Sequence, residues 1–147
     1  MNKINWKLLT GIIIVIFVFT LTGCDKKDNK KESDEKVNSI KVITSNKTYT
    51  LKLENNKTAE EFVNLLPQEL TMSDLNSNEK YIYINKTLTA DPYNPKHIEK
   101  GDVMLFGSDC IVIFYKSFDT TYSYTKIGHI DNLDDLGSNN IKVKFEK

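Results

Sequence analysis

The amino-acid sequence predicts a mainly β fold, a small closed barrel of about eight strands with one short helix. Short runs in which apolar and polar residues alternate recur along the chain, and polar turns separate them. This pattern is typical of strands with one buried face. Only one segment, 58–67, has the spacing of a helix. We favour a closed barrel over an open sheet because closure removes the edges that so many short strands would expose.

The first two alternating runs predict a β-hairpin. The run 39–45 alternates apolar and polar residues, and the run 48–54 does so again. Asn46 and Lys47 form the short polar link between them. Two alternating runs around such a link are typical of paired antiparallel strands.

The helix is predicted from its start signal, its apolar stripe and its stop signal. Thr58 and Glu61 have the spacing of a capping box, in which each side chain bonds the backbone amide of the other. Phe62 and Val63 belong to an apolar stripe that follows. Pro67 ends the helix because the residue before a proline avoids the α region.

Later runs complete the predicted barrel. The segment 91–95 is expected to be a loop, since its two prolines cannot donate hydrogen bonds to a ladder. The run 110–115 is apolar on both faces, which predicts the central strand. The polar segment 74–80 is expected to lie outside the strands. The remaining runs with strand rhythm are 68–72, 81–84, 103–106, 121–130 and 141–145.

The N-terminus has the organisation of a secretory signal. Lys3 and Lys7 precede an apolar stretch, 8–22, and the small residue Gly23 stands before Cys24. A positive start, a short apolar core and a small residue at the processing site are typical of such signals. The alternative is a transmembrane helix. The stretch would span only about 22 Å, however, and a bilayer core needs about 30 Å.

The tetrapeptide that ends this signal, Leu-Thr-Gly-Cys, resembles the lipobox of bacterial lipoproteins. The resemblance implies cleavage after residue 23 and a diacylglycerol on the sulfur of Cys24. The two acyl chains anchor a protein stably to a membrane. We therefore expect three parts: a signal peptide over 1–23, a lipidated cysteine and flexible tether over 24–38, and the barrel domain over 39–147. The tether is rich in lysine and acidic residues, with too little apolar surface to form a core.

Charge and location limit the partners of the chain. The formal net charge is +0, and removal of Lys3 and Lys7 leaves a small excess of acidic residues. Nucleic-acid binding is disfavoured because there is no basic excess to neutralise phosphates. The expected partners are the membrane, through the lipid anchor at Cys24, and a peptide or small-molecule ligand. The expected location is the extracytoplasmic face of the cell membrane.

No cofactor or metal is expected from the motifs. His97 and His129 have no cysteine or patterned carboxylate beside them, and the acidic turn 131–135 lacks the spacing of a calcium loop. Cys110 has no partner if Cys24 is lipidated. Since Cys110 lies in an apolar run, we interpret it as a small buried hydrophobe and not as a reactive thiol.

The order of elements over residues 40–146 resembles that of the bacterial cyclophilin-like family of closed β-barrels. The likeness begins with the helix and its ending in Leu-Pro, over 58–67. It continues in the segments Leu70-Thr-Met-x-Asp-Leu75, Glu79-Lys80, Gly101-Asp102, Ile111-Val-Ile-Phe-Tyr115 and Lys126-Ile-Gly-His-Ile130.

The resemblance also bears on activity. True cyclophilins are prolyl isomerases, and the resemblance implies an arginine that donates to the prolyl peptide. This chain has no arginine, and its single tryptophan, Trp6, lies in the signal. A lysine supplies charge but not a planar fork of donors. We therefore expect a non-catalytic binding domain. The alternative is a peptidyl-prolyl isomerase that acts on secreted proteins.

Aromatic residues on the predicted strands are the candidate ligand-binding residues. Tyrosine offers apolar contact area with a polar tip, which suits a binding groove. The alternative is that each ring spans the core and the surface of the barrel wall. The candidates for a groove that takes a peptide or small ligand are Tyr81, Tyr83, Phe106, Phe114, Tyr122, Tyr124 and His129.

Overall fold

A computed structural model of the chain describes residues 36–147. The signal peptide expected over 1–23, the lipidation site Cys24 and the tether up to residue 35 lie outside the described residues. Within the described part, no helix combines the length and the apolar character needed to cross a membrane.

Contacts with the folded domain begin ahead of the first strand. Val37 packs against the main core. The carbonyl of Asn38 accepts a hydrogen bond of 2.9 Å from the amide of Leu53. The last residues of the expected tether therefore touch the barrel.

Ten strands and one helix make up the described part of the chain. In chain order they are β1 (Ser39–Ile43), β2 (Thr48–Leu53), α1 (Lys57–Asn64), β3 (Gln68–Leu75), β4 (Glu79–Tyr83), β5 (His97–Ile98), β6 (Asp102–Phe106), β7 (Cys110–Phe114), β8 (Phe118–Asp119), β9 (Thr125–Ile130) and β10 (Ile141–Glu146).

Eight of the strands close into an antiparallel barrel in the order β1-β10-β3-β4-β7-β6-β9-β2. The predicted hairpin is confirmed, because β1 pairs with β2 and Val42 lies opposite Tyr49. Both of these side chains are buried in the barrel core. The mainly β fold class, with one short helix, is therefore confirmed.

The start of α1 differs from the prediction. The N-cap is Asn56, whose Oδ1 accepts a hydrogen bond of 2.8 Å from the amide of Ala59. Thr58 lies inside the first turn, where its hydroxyl donates to the carbonyl of Thr89 at 2.6 Å. Glu61 accepts hydrogen bonds from the amide and the hydroxyl of Thr89. The capping-box prediction is wrong because the side chains of Thr58 and Glu61 bind Thr89 instead of each other's backbone amides.

The polar segment 74–80 forms part of a hairpin, which the alternation rule did not predict. Strand β3 continues to Leu75, and β4 starts at Glu79. The turn between them uses left-handed backbone at Asn76 and Ser77, each with a φ of 55°. Asp74 and Lys80 enter strands because their side chains form an ion pair inside the fold.

The wall formed by β6 and β7 separates two apolar clusters. On β7, Ile111 and Ile113 belong to the core that fills the barrel. Cys110, Val112 and Phe114 belong to a second cluster on the outer face. All five residues of β7 are buried. The run is therefore apolar on both faces, although in a closed barrel it is a wall strand between β4 and β6 and not the centre of a sheet.

A second sheet covers part of this outer face. Strands β5 and β8 pair with each other, and Tyr93 forms an isolated bridge with Tyr124. The strand predicted over 121–130 is therefore shorter than expected. Only β9, from Thr125 to Ile130, joins the barrel, because the preceding residues cross the outer face of the wall.

Candidate functional site

A groove of about 630 Å³ lies on the outer face of the barrel wall. Its walls come from strands β4, β6 and β7 and from the segment that runs from β8 to the start of β9. Six aromatic side chains line it, and they are Tyr81, Tyr83, Phe106, Phe118, Tyr122 and Tyr124.

The aromatic rings contact each other in edge-to-face or tilted pairs. Tyr81 and Tyr83 stand on the same face of β4, with ring centroids 6.2 Å apart and planes at 84°. Phe106 packs against Tyr122 at 6.2 Å and against Tyr124 at 5.6 Å. Edge-to-face pairs stabilise each other beyond their buried area and leave ring faces free for other contacts.

Large apolar side chains are exposed mainly at this groove. Among residues 36–147, five large hydrophobic side chains are exposed, and Tyr93 is the one that does not line the groove. Tyr122 is 63% exposed and Tyr83 is 60% exposed. Phe106 and Leu75 are 40% and 43% exposed. A contiguous exposed apolar patch of this kind is typical of an interaction site.

The floor of the groove is the outer face of β7. Cys110 and Val112 point into it and are almost fully buried, at 3% and 2% exposed. Burial raises the pKa of the Cys110 thiol to about 11, and the carboxylates of Asp109 and Glu79 add to the rise. The thiol therefore contributes apolar surface and not a nucleophile.

One carboxyl group, that of Glu79, lies among these rings. Burial raises its pKa to about 7, and the nearby Asp74 carboxylate adds to the rise. No hydrogen bond or positive charge offsets the two effects. Among the described residues, the groove therefore has an acidic side chain without a cationic partner. No lysine or histidine is among the residues that line it.

The opposite rim is more polar. Asp119, at the end of β8, lines the groove, and its Oδ1 lies 2.6 Å from Nδ1 of His97. This hydrogen bond raises the pKa of His97 above its ordinary value of 6.5. Four further residues that line the groove can offer amide or hydroxyl groups: Asn76 and Asn78 in the β3–β4 turn, and Thr120 and Thr121 after β8.

The comparisons with known proteins identify the family. A model described as "Cyclophilin-like family" matches residues 42–146. The chain belongs to the cyclophilin-like family. None of the curated proteins compared with the chain matches it.

A solved structure gives a fold comparison. The solution structure of a hypothetical protein from Archaeoglobus fulgidus has a TM-score of 0.51 and 16% sequence identity to this chain. The similarity covers 77% of this chain and 98% of the other. At this identity the likeness supports the fold alone.

The structure brings five of the seven candidate residues of this cyclophilin-like domain together at one groove. Phe114 is not among them, because it is fully buried under the rings of Phe118 and Tyr124. Its ring packs at 5.4 Å from that of Tyr124 and at 5.7 Å from that of Phe118. Phe114 therefore ends the outward face of β7 in a covered position, and its apolar character alone did not predict this burial.

His129, the seventh candidate, lies on β9 and outside the groove. Its Nδ1 is 2.9 Å from Oδ1 of the buried carboxylate of Asp102, and Nζ of Lys126 is 3.1 Å from the same oxygen. The side chain of Asp102 is only 5% exposed. This cluster ties β9 to the start of β6.

Sequence reasoning missed Glu79, Phe118 and Asp119. Glu79 was overlooked because the polar segment 74–80 was expected to lie outside the strands. Phe118 and Asp119 belong to a two-residue strand that is too short for any alternation pattern. The short pattern Phe-Asp beside an aromatic run was the only available signal.

The described residues of the cyclophilin-like domain show few arrangements for covalent chemistry. Within 36–147, no group of three histidine, cysteine or acidic side chains is placed to hold a metal ion. The groove itself contains two carboxyl groups, a buried thiol and several hydroxyl groups. Such a set can bind a ligand by stacking, by hydrogen bonds and by charge.

Proposed function

We propose that this protein is a membrane-anchored lipoprotein whose cyclophilin-like domain binds a peptide or small ligand outside the cytoplasm without transforming it. The observation that carries the proposal is the concentration of exposed aromatic side chains at one groove, where Tyr83, Phe106 and Tyr122 are all exposed. Exposing such rings costs solvation free energy, so they indicate a surface that is covered part of the time.

The anchoring part of the proposal is supported by the sequence around Cys24. A positive start, a short apolar stretch and a lipobox-like ending precede a polar segment that reaches the barrel. About 14 residues of soft linker span about 20 Å on average, so the domain can leave the membrane surface by about its own radius. The groove would then face soluble ligands near the membrane.

Prolyl isomerisation is the second candidate function, and the family membership is the observation that favours it. A catalyst of this kind needs a donor that reaches the prolyl amide as it twists. The chain has no arginine, and no lysine lines the groove among the described residues. Fold likeness is a weak warrant for activity, so binding is the better-supported function.

Two measurements test the proposal. For anchoring, cells that express the full chain receive radiolabelled palmitate and are then fractionated. We expect label in the wild-type protein, no label in Cys24→Ala, and release of that variant from the membrane. Equal membrane retention of an unlabelled Cys24→Ala protein would contradict the lipid anchor.

For binding, the full chain in a neutral maltoside detergent is screened by thermal shift against proline-containing peptides and small metabolites. We expect at least one ligand whose stabilising effect falls in Tyr122→Ala. The matched control is Tyr93→Ala, because Tyr93 is also exposed but does not line the groove. A coupled proline-peptide assay on the same sample separates the two functions, since acceleration above background would favour the isomerase.

A further inference from the structure

We propose that the ligand of this groove is a small organic cation, an alkylated ammonium compound, held by the aromatic rings and by the carboxylate of Glu79. This inference rests on the proposed binding function and names its ligand class. It follows from three features of the described residues: the ring faces, the uncompensated acidic side chain and the absence of basic groups in the lining.

The aromatic rings supply the first attraction. A cation placed over the face of a tyrosine or phenylalanine is drawn to the ring quadrupole, and alkylated ammonium ions are recognised by cages of such rings. Here Tyr81 and Tyr83 stand on one strand, and Phe106 packs against Tyr122 and Tyr124 across the groove. The edge-to-face geometry of the Tyr81–Tyr83 and Phe106–Tyr122 pairs leaves ring faces available to a third group.

Charge supplies the second attraction and the selectivity. Glu79 and Asp119 line the groove, and no lysine or histidine does so among the described residues. Asp119 already bonds His97 at 2.6 Å. Glu79 has no such partner, and its burial makes its ionised form unfavourable while the groove is empty. A cation in the groove would relieve that cost, whereas an anion would increase it.

The floor and the rings of the groove, which offer few hydrogen-bond acceptors, favour an alkylated ammonium over a primary one. A primary ammonium donates three hydrogen bonds and is strongly hydrated, so it needs several acceptors when it is buried. The floor of the groove is formed by Val112 and by the weak acceptor Cys110, which lie opposite the two tyrosines of β4. Methylated nitrogen has fewer or no donors to satisfy and can rest against these apolar groups.

The experiment compares choline with its neutral isostere, 3,3-dimethyl-1-butanol, in which carbon replaces the ammonium nitrogen. Binding to the full chain in a neutral maltoside detergent is measured by calorimetry at pH 8. We expect choline to bind at least about tenfold more tightly than the alcohol, because only the cation gains the ring and carboxylate attractions. Glu79→Gln is expected to weaken choline about tenfold and to leave the alcohol unchanged.

Two control variants match the test variants. Glu69→Gln removes the same charge from an exposed position on β3 that does not line the groove. Tyr93→Ala removes an exposed ring elsewhere on the domain. Both are expected to bind choline like the wild type, whereas Tyr122→Ala is expected to weaken it. Circular dichroism of each variant shows whether a loss of binding reflects a loss of folding.

The outcomes separate this inference from the broader one. Choline binding that depends on Glu79 and Tyr122 supports both the cationic ligand and the binding function. Equal binding of choline and the alcohol, or a peptide ligand without a cation that competes at the groove, overturns the cation and leaves the binding function in place. Failure of choline to bind at millimolar concentration also overturns the proposal of a cationic ligand. Failure of every peptide and metabolite in the earlier screen overturns the binding function.

Discussion

Lys80 and Asp74 form a buried ion pair, with Nζ of the lysine 2.7 Å from Oδ1 of the carboxylate. The lysine side chain is 0% exposed. Its ammonium also donates to the carbonyls of Gly137 and Asn139, and it lies 5.0 Å from the centroid of the Tyr115 ring. All three donors of the lysine are thus used, and they join the β3–β4 hairpin to the loop before β10.

We expect Lys80→Met to destabilise the domain strongly. The substitution keeps the length of the side chain but leaves a buried carboxylate and two carbonyls without their donor, which costs about 3 kcal/mol or more. Urea unfolding followed by circular dichroism measures the change. The control is Lys144→Met, which removes a pair that is 43% exposed on the lysine side and should cost less than about 1 kcal/mol. Similar losses in both variants would mean that Lys80 contributes little as a charge.

Glu79 is expected to make the domain less stable as the pH rises. Its folded-state pKa of about 7 lies above the ordinary value of 4.5, so the folded protein holds this proton more tightly between those values. Stability from the protonated form is full below pH 4.5 and is lost as the pH rises through 7. Glu79→Gln should therefore raise the free energy of unfolding by about 1 kcal/mol at pH 8 and by much less at pH 5. Urea titrations at both pH values decide it, and a constant difference would refute the assignment.

The affinity for choline is expected to rise several-fold between pH 6 and pH 8, because only ionised Glu79 attracts the cation. Asp74, Cys110, Tyr115 and Tyr124 act on Glu79 or line the groove with it, and their pKa values are shifted away from this range. Hydrogen bonds from Lys80, Tyr115 and Ser77 lower the pKa of Asp74 despite its burial. Burial raises the pKa values of Cys110, Tyr115 and Tyr124.

The bond to Asp119 raises the pKa of His97, so this histidine is the remaining group near the groove that can titrate in the same range. The control for the pH profile is therefore His97→Gln. Calorimetry across pH 6–8 should give a rising affinity in the wild type and in His97→Gln, and a flat one in Glu79→Gln. A flat profile in His97→Gln would assign the effect to the histidine instead.

Gly128 is expected to tolerate no side chain. A Cβ at this position would lie 2.2 Å from the carbonyl oxygen of Lys52, where β9 pairs with β2. Gly128→Ala should cost about 1–3 kcal/mol, because backbone would have to move. Gly107→Ala is the control, since its Cβ meets nothing within 4 Å and only the φ of 63° is strained, at about 1 kcal/mol. Thermal unfolding gives the loss of stability in each variant. A smaller loss in Gly128→Ala than in Gly107→Ala would count against the close approach of Gly128 to β2.

The Cys110 thiol is expected to react slowly in the folded protein. It is 3% exposed and its pKa is raised to about 11. Alkylation by iodoacetamide at pH 8, followed by mass spectrometry of the peptide that contains Cys110, should be on the order of 100-fold slower than in urea. Equal rates in the folded and unfolded protein would show that the floor of the groove opens readily.

Much of the barrel follows from the printed sequence, and the reasons for the exceptions are physical. The β1–β2 hairpin was predicted because Val42 and Tyr49 stand in runs with a strict period of two. The β3–β4 hairpin was only half predicted. Its strands carry the polar residues Asp74 and Lys80, and the burial of Lys80 depends on partners that are far away in sequence.

The groove was predicted by composition and not by geometry. Tyr81 and Tyr83, both among the candidates, share a face because they stand two residues apart on one strand. Whether Phe114 is exposed depends on the short strands β5 and β8, which cover its ring and carry no periodic signal. Long-range cover of this kind is invisible to any local pattern.

Along β7, alternate side chains point to the barrel interior and to the groove. Ile111 and Ile113 hold the interior together, whereas Cys110 and Val112 form the surface on which a ligand would rest. A substitution at Val112 can thus alter ligand preference while the packing inside the barrel stays intact. Mutation and selection, in nature or in the laboratory, can reshape recognition at such a wall with little penalty to folding.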